Sequence, residues 1–234
     1  MKNQRKYRHL FFDLDHTLWD FDANSKQTIF ELFDYNNLTE REGIEADDFH
    51  ETYLVINESK WDLYRQGLIN KAELRATRFT ESFAKHGFND LAFSQKFEAD
   101  YLARCPHQTA LLPGAIAALE FLKDDYELHI ITNGFIESQE TKLTKSGLAP
   151  YFKQVVSSDE VGVNKPHPKI FEHSLGGVKA QKEESLMIGD NLEADIIGAQ
   201  QFGIDQVYYN PYQQAHEHRP TFEISDLLEL KSFL

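Results

Sequence analysis

Two aspartates separated by a single residue, Asp13 and Asp15, follow a short apolar run near the start of the chain. On an extended backbone, side chains two residues apart point the same way, so the two carboxylates share one side of the chain. Like charges this close raise each other's proton affinity unless a cation lies between them. The pattern therefore favours a metal site, or a division of labour between a nucleophile and a general acid.

Three further polar groups occur later in the chain, each where a predicted strand ends. They are Thr132-Asn133-Gly134, Lys165-Pro166, and Gly189-Asp190-Asn191 with Asp195 further on. The turn after Thr132 leaves backbone N–H groups free to face an anion. Asp190 and Asp195 form an acidic pocket suited to a hard cation. Because open parallel sheets bind ligands beyond the carboxyl ends of their strands, we expect the four groups to meet there.

Each group alone has a plainer explanation. Aspartates are common in turns and helix caps, and Thr132 alone is typical of a turn and Lys165 alone of a surface charge. The ordered set is more specific than its members. Phosphoryl transfer through a carboxylate nucleophile needs this set of groups: an acid pair, a hydroxyl, a lysine and an acidic cluster.

The elements that position these groups are predicted from hydrophobic patterning. Strands are expected at 9–14, 128–132, 154–157, 186–189 and 206–209, and they alternate with helices, which is typical of βαβ units and a parallel sheet. By contrast, residues 23 to about 105 show helical spacing only and predict four helices, two of them capped by Asn70 with Glu73 and by Asp90. The sequence thus predicts an α/β core, residues 1–20 and 106–234, interrupted by a helical domain over residues 21–105.

Composition excludes several classes of protein. The chain has 234 residues, of which 41% are hydrophobic and 26% charged, so disordered and collagen-like chains are excluded. The 24 basic and 38 acidic residues give a net charge of −14, which disfavours a nucleic-acid polymer or an anionic membrane as partner. A small anionic substrate stays possible, because one metal ion inverts the local field.

Cysteine content and hydropathy indicate the cellular setting. Cys105 is the one cysteine, so an internal disulfide is excluded. The apolar stretch after the basic segment Met1–Arg8 is too short for a signal peptide, and no run approaches the ~20 apolar residues of a membrane span. We therefore expect a cytoplasmic protein that is a monomer or a weak homo-oligomer.

The four motifs taken in order resemble the haloacid dehalogenase superfamily, and the helical insert resembles its type 1 cap. The motifs are Asp13-x-Asp15-x-Thr17, Thr132-Asn133-Gly134, Lys165-Pro166 and Gly189-Asp190-x-x-x-x-Asp195. Shorter stretches resemble the bacterial house-cleaning pyrimidine 5′-nucleotidases, at 21–22, 57–61, 64–67, 131–135 and 160–163. The resemblance implies a three-layer Rossmann-like parallel-sheet core with an all-helical cap. It also implies Mg²⁺-dependent hydrolysis of a small phosphomonoester, foremost a nucleoside 5′-monophosphate.

The same resemblance assigns roles to individual residues. Asp13 is expected to be the nucleophile that forms an aspartyl-phosphate, and Asp15 the general acid and base. Thr132, the Asn133 amide and Lys165 are expected to hold the phosphate. Mg²⁺ is expected on the Asp13 carboxylate, the Asp15 backbone carbonyl and the Asp190 carboxylate, with Asp195 and Asn191 around them. Asn191 departs from the acidic residue often found beside the first aspartate of this motif.

Several alternatives stay open at this point. Asp15 favours phosphate-ester cleavage, because the resemblance implies that dehalogenases and phosphonate-cleaving relatives lack an acid there. A sugar-phosphate phosphatase, a phosphomutase and a phosphate-binding module without turnover remain. In the predicted cap, Trp61 and Tyr64 either stack on a base or belong to a helical core. Trp19 is expected to shape the pocket mouth or hinge.

Two histidine-containing stretches carry weaker signals. His16 lies between Asp15 and Thr17, where the mechanism does not need it, so it is expected to be structural. His216 and His218 have the spacing of a metal-binding pair, but histidines in such a polar tail are more often solvated.

Overall fold

A six-stranded sheet, all of whose paired strands are parallel, forms the centre of the described part of the chain, residues 6–234 of this computed structural model. The strands are β1 (His9–Phe12), β2 (Glu127–Thr132), β3 (Phe152–Ser157), β4 (Ser185–Gly189), β5 (Asp205–Tyr209) and β6 (Phe222–Ile224). Their order across the sheet is β3-β2-β1-β4-β5-β6. From β1 the chain adds β2 and β3 on one side and then β4, β5 and β6 on the other, so the switch point lies between β1 and β4. Doubly wound sheets open a ligand crevice at such a switch point, and this confirms the predicted α/β class.

The helices are α1 (Phe21–Asn36), α2 (Leu38–Glu42), α3 (Ala46–Arg65), α4 (Lys71–Lys85), α5 (Leu91–Arg104), α6 (Ala115–Leu122), α7 (Ile136–Lys145), α8 (Ser158–Val161), α9 (Pro168–Val178) and α10 (Gly198–Phe202). Helices α1 to α6 lie between β1 and β2, and the later helices alternate with the strands β2 to β5. A π-helical segment, Leu192–Ile197, runs directly into α10. No helix among the described residues is long and apolar enough to cross a bilayer.

The central strands are buried on both faces, as parallel strands covered by helices must be. Every residue of β1 and of β4 is buried. On one face, Phe11, Ile131 and Met187 pack with Ile170 and Phe171 of α9 in a single apolar cluster. This packing holds the strands in place against α9. It therefore also sets the positions of the polar residues that follow the carboxyl ends of the strands.

The chain divides into two compact units, residues 1–20 with 109–234, and residues 21–108. The second junction lies three residues beyond the one predicted between 105 and 106. Two backbone hydrogen bonds join the segment before the first junction to the segment after the second. Leu112 N donates to Leu18 O at 2.9 Å, and Asp20 N donates to Ala110 O at 3.1 Å. The chain therefore leaves the first unit and returns to it at adjacent points.

The second unit is a helical bundle with an aromatic core. Its fully buried rings include Phe49, Tyr53, Phe79 and Phe83, with stacked and tilted contacts among them. The predicted caps of α4 and α5 are confirmed: Asn70 and Glu73 form a reciprocal capping box, and the Asp90 side chain accepts from Phe93 N.

An ion pair lies inside this bundle. Arg78 donates to both carboxylate oxygens of Glu98 at 2.8 and 2.9 Å and to Asn57 Oδ1 at 3.1 Å. Both members of the pair are buried, so removal of either one would leave the other as an unpaired charge away from water.

Four details differ from the sequence-based prediction. The first strand ends at Phe12, two residues before the predicted end at Leu14. The short helix α2 adds a fifth helix to the second unit, and β6 adds a sixth strand. The helix expected after the fourth predicted strand begins as the π-helical segment. The start of the basic segment Met1–Arg8 lies outside the described residues.

Candidate active site

Asp13 lies where β1 ends, at the switch point of the sheet. Its backbone N–H donates to Ile188 O at 2.9 Å, which holds the residue after β1 against β4. Its carboxylate Oδ1 lies 2.7 Å from Lys165 Nζ. The structure thus brings together the first and third of the predicted motifs, which are far apart in the sequence.

Lys165 is a buried cation with three close oxygen partners. Only 2% of its surface is exposed, and Nζ lies 2.7 Å from each of Asp13 Oδ1, Asp195 Oδ1 and Ile131 O. Burial alone lowers the pKa of an ammonium, but the two aspartates outweigh it and raise the pKa of Lys165 above its ordinary value. The charge is therefore fixed beside Asp13 at neutral pH.

Asn133 sets the backbone position of Lys165. Its side-chain Nδ2 donates to Lys165 O at 3.0 Å, and its Oδ1 accepts from Lys165 N at 2.7 Å. The sequence predicts a phosphate contact through the backbone amide of Asn133, and the structure adds this side-chain role. The second and third motifs are thereby locked to each other.

The π-helical segment presents the fourth motif. Asn191 N donates to Asp195 Oδ2 at 3.0 Å, and the Asn191 side chain accepts from Ala194 N at 2.8 Å. A Cβ on Gly189 would lie 2.3 Å from Asp195 Oδ2, so only glycine leaves room for this carboxylate. Thr17 Oγ1 donates to Asp190 Oδ1 at 2.7 Å and so fixes the first acid of the motif.

Three carboxylates converge at the carboxyl ends of β1 and β4. Oxygen atoms of Asp13, Asp190 and Asp195 lie within 4.8 Å of one another. Burial, with the neighbouring acids, raises the pKa of Asp13 to about 6, although Lys165 opposes the shift. Burial raises the pKa of Asp190 to about 6 as well, with Asp13 adding to it. The single charge of Lys165 balances the three carboxylates only in part, so this group of oxygen ligands fits a hard cation such as Mg²⁺.

The three carboxylates are not equivalent as ligands. Both oxygens of Asp195 are engaged, one by Lys165 and one by Asn191 N, and this residue is fully buried. Asp190 is partly exposed and accepts from Thr17 on Oδ1. The geometry is thus consistent with Asp13 and Asp190 as direct ligands and Asp195 behind them, which stays a prediction.

Asp15 is held by two residues of α7 that sequence reasoning missed. Lys142 Nζ lies 2.6 Å from Asp15 Oδ1, and Gln139 Nε2 lies 2.8 Å from Asp15 Oδ2. Burial raises the pKa of Asp15, but Lys142 and Gln139 outweigh it and bring the pKa below its ordinary value. The one available sequence signal was the spacing, since residues three apart share a helix face.

Gln139 also joins Asp15 to the phosphate-binding turn. Its Nε2 donates to Thr132 Oγ1 at 2.7 Å, and Thr132 Oγ1 in turn accepts from Gly134 N at 3.0 Å. A Cβ on Gly134 would lie 1.9 Å from Gln139 Nε2. Gly134 is therefore required for the close approach of Gln139. The side-chain amide of Gln139 in turn sets the positions of Asp15 and Thr132, two predicted catalytic residues.

Comparison with known families matches residues 7–203 to the haloacid dehalogenase-like hydrolases. The chain belongs to this family. It is 36% identical to pyrimidine 5′-nucleotidase PynA of Streptococcus pneumoniae, over 95% of this chain and 94% of that protein. It is 33% identical to pyrimidine 5′-nucleotidase YjjG of Escherichia coli, over 98% of each. The magnesium-bound structure of the putative HAD-hydrolase YfnB of Bacillus subtilis superposes with a TM-score of 0.88, at 30% identity over 97% of this chain and 98% of that one.

These relatives confirm the predicted superfamily and the enzyme class, a phosphoric monoester hydrolase. In this hydrolase, Trp19 is fully buried, and its ring centroid lies 4.3 Å from Lys142 Nζ. Trp19 thus supports the cation that holds Asp15, and its predicted place at a pocket mouth stays a prediction. His16 is exposed in the turn between Asp15 and Thr17, with a φ of 60° and its N–H donating to Trp19 O.

The hydrolase places Trp61 and Tyr64 on α3 of its second unit. Both side chains are partly exposed, and their rings meet edge-to-face with centroids 5.5 Å apart. They are therefore outside the fully buried aromatic core of that unit. Their role in substrate binding stays a prediction.

Proposed function

We propose that this hydrolase is a Mg²⁺-dependent 5′-nucleotidase that acts on pyrimidine nucleoside 5′-monophosphates through an aspartyl-phosphate intermediate. The observation that carries the chemistry is the group formed by Asp13, Lys165 and Asp190 at one end of the sheet, with Asp15 held beside it. The pyrimidine nucleotidases that match nearly the whole chain support the substrate class.

The first step uses Asp13 as nucleophile. A carboxylate oxygen attacks phosphorus in line, so that an O–P bond forms while the bond from phosphorus to the 5′-oxygen breaks. Lys165 stays beside Asp13 throughout and offsets the negative charge that spreads over the transferring group. Thr132 and the backbone amide of Asn133 orient the phosphate oxygens.

Asp15 moves the protons in both steps. It must give a proton to the departing 5′-alkoxide and then take one from the water that hydrolyses the aspartyl-phosphate. Lys142 and Gln139 favour the ionised form, which suits the second step. Arrival of a phosphate dianion beside Asp15 opposes them by like-charge repulsion and favours the protonated form that the first step needs.

Asp13, Asp190 and the backbone carbonyl of Asp15 are the groups that would hold Mg²⁺. When bound, the ion supplies Lewis-acid neutralisation of the phosphate charge. Asp195 then serves this site by fixing Lys165, whose Nζ lies 2.7 Å from its Oδ1.

A panel of substrates tests this proposal. We expect Mg²⁺-dependent release of phosphate from pyrimidine nucleoside 5′-monophosphates, loss of turnover with a chelator, and inactivity of the folded Asp13→Asn variant. A wide preference for a sugar phosphate would contradict the nucleotidase assignment. Absence of metal-dependent turnover of every phosphoester would indicate a binding module.

The aromatic pair on α3 needs its own test. Base–aromatic stacking contributes roughly 1–3 kcal/mol, so Trp61→Leu should raise KM for a nucleotide about 5- to 150-fold if the ring stacks on the base. An aryl phosphate without a nucleobase is the matched control substrate. Equal changes in KM for the two substrates would show that Trp61 has only a structural role.

A further inference from the structure

A second cluster of ligand-type side chains lies at the amino ends of the strands, away from the catalytic carboxylates. His9 is the first residue of β1, and Glu127 is the first residue of β2 and its partner in register. His129 follows two residues after Glu127, so all three side chains point to one face of the sheet. Four residues of extended chain, roughly 13 Å, separate His9 from Asp13.

The distances in this cluster match the ligand sphere of a small transition-metal ion. His9 Nδ1 lies 3.1 Å from His129 Nε2, and one ligand atom from each of the three residues lies within 4.8 Å of the others. A tetrahedral ion with metal–nitrogen bonds of roughly 2.0–2.1 Å holds its ligand atoms about 3.3 Å apart. Little movement is needed to place such an ion between the two rings.

The burial of both histidines suits metal binding. His9 is 2% exposed and His129 is not exposed at all. Burial disfavours the charged imidazolium. Neutral imidazole is the form that ligates metals.

A carboxylate lies near the first ring. Glu184 Oε1 lies 3.8 Å from His9 Nε2, beyond hydrogen-bond distance, and accepts from Gln181 N at 3.1 Å. Its negative charge favours the tautomer of His9 with its proton on Nε2. The lone pair of Nδ1 then faces His129. Histidine ligands commonly carry such a carboxylate on the nitrogen away from the metal.

A buried ring nitrogen of this cluster lacks a partner. His129 Nδ1 has no hydrogen-bond partner among the described residues, whichever ring donates in the contact between His9 Nδ1 and His129 Nε2. Gln154, paired in register with His129, has a buried Oε1 that also lacks a partner there. The polar groups around His129 are therefore incompletely satisfied without a further ligand.

We propose that His9, His129 and Glu127 form a second metal site, for Zn²⁺ or a similar transition-metal ion, with Glu184 orienting His9. Two imidazoles and one carboxylate select such ions over Mg²⁺, which prefers oxygen ligands alone. Arg8 and Lys153 lie 2.8 and 3.4 Å from Glu127, but their side chains are 65% and 61% exposed. Ion pairs this exposed are weak competitors for the carboxylate.

Titration of the full chain with Co²⁺, followed by displacement with Zn²⁺, tests the site. A tetrahedral site containing imidazole gives Co²⁺ strong visible absorption, whereas the all-oxygen catalytic site gives only weak bands. We expect one such Co²⁺ per chain, displaced by Zn²⁺, together with a rise of Tm on Zn²⁺ binding. The band should disappear in His129→Gln and persist in His218→Gln, which removes an exposed histidine.

Two further variants keep the test decisive if His129→Gln fails to fold. Glu127→Gln should weaken Co²⁺ binding at least tenfold, and Glu184→Gln about 10–100-fold, the range found for residues that orient a ligand. Glu183→Gln changes the exposed neighbouring carboxylate and should leave binding unchanged. Absence of the tetrahedral band in the wild type, or a band of equal affinity in Glu127→Gln, would overturn the proposal.

Discussion

The ammonium of Lys142 lies 2.6 Å from a carboxylate oxygen of Asp15. Both side chains are largely buried, and the ring of Trp19 lies beside the ammonium. This contact ties the predicted general acid to α7, an element that carries none of the four motifs. The protonation of Asp15 therefore depends on a residue outside the motifs.

Replacement of Lys142 by methionine should raise the pKa of Asp15 and slow the second step, in which Asp15 must be ionised to take a proton from water. Positioned acid–base catalysis contributes at least about 100-fold, so we expect kcat at neutral pH to fall by on the order of 100-fold where this step limits turnover. A nucleoside monophosphate and an aryl phosphate should lose similar amounts, because both pass through the same aspartyl-phosphate. The loss should shrink as the pH rises and Asp15 ionises, and the pH dependence of kcat for both substrates measures this.

Lys145→Met is the matched control, because Lys145 is exposed one turn further along the same helix. It should leave both rates unchanged. A loss in Lys142→Met that stays the same as the pH rises would contradict a role that acts through Asp15.

Substitution of Gly134 by alanine should displace Gln139 from its two partners. The added Cβ would lie 1.9 Å from Gln139 Nε2. Misplacement of catalytic groups by about 1 Å can cost 100-fold in rate, and we expect a loss of that order in kcat. In a double-mutant cycle with Gln139→Ala the two losses should not add, because both break the same contacts.

Gly176→Ala serves as the control for a glycine substitution, since a Cβ there meets nothing within 4 Å. Its kcat should equal that of the wild type. Full additivity of Gly134→Ala and Gln139→Ala would show that the glycine acts by another route.

Loss of Arg78 should destabilise the helical unit. Arg78→Met leaves the buried carboxylate of Glu98 unpaired, which costs about 3–5 kcal/mol. The double variant Arg78→Met/Glu98→Leu should recover part of this free energy of unfolding. Lys96→Met breaks the exposed pair with Asp100 and should change stability by less than about 1 kcal/mol. Urea denaturation of the wild type and the three variants is the measurement, and an equal effect of the two single variants would contradict the prediction.

The stability of the metal-free protein should fall as the pH decreases from 6.5 towards 4. The pKa of His129 is about 4 in the folded state against 6.5 in the unfolded chain, so between these values only the unfolded chain takes up a proton. Relative to His129→Gln, the wild type should lose about 2 kcal/mol between pH 7 and pH 5. Parallel pH profiles for the two proteins, measured with a chelator, would refute this.

The sequence was sufficient to predict the convergence of Asp13, Thr132, Lys165 and Asp190, because the carboxyl ends of parallel strands meet at one edge of a sheet. It did not indicate Gln139 and Lys142, since their contacts depend on how α7 is rotated against the sheet. The strand β6 is three residues long, too short for period-two patterning to show. The π-helical segment was also invisible, because one extra residue per turn does not alter the apolar spacing enough to be read.

The adjacent exit and return of the chain at Leu18–Asp20 and Ala110–Leu112 has an evolutionary consequence. Because the two ends of the insert are already held side by side, the free-energy cost of accommodating a longer or shorter insert grows only with the logarithm of its length. A different helical unit can be spliced between these points without moving Asp13 or the strands behind it. Such a junction lets the helical unit diverge within a lineage while the catalytic residues are inherited intact.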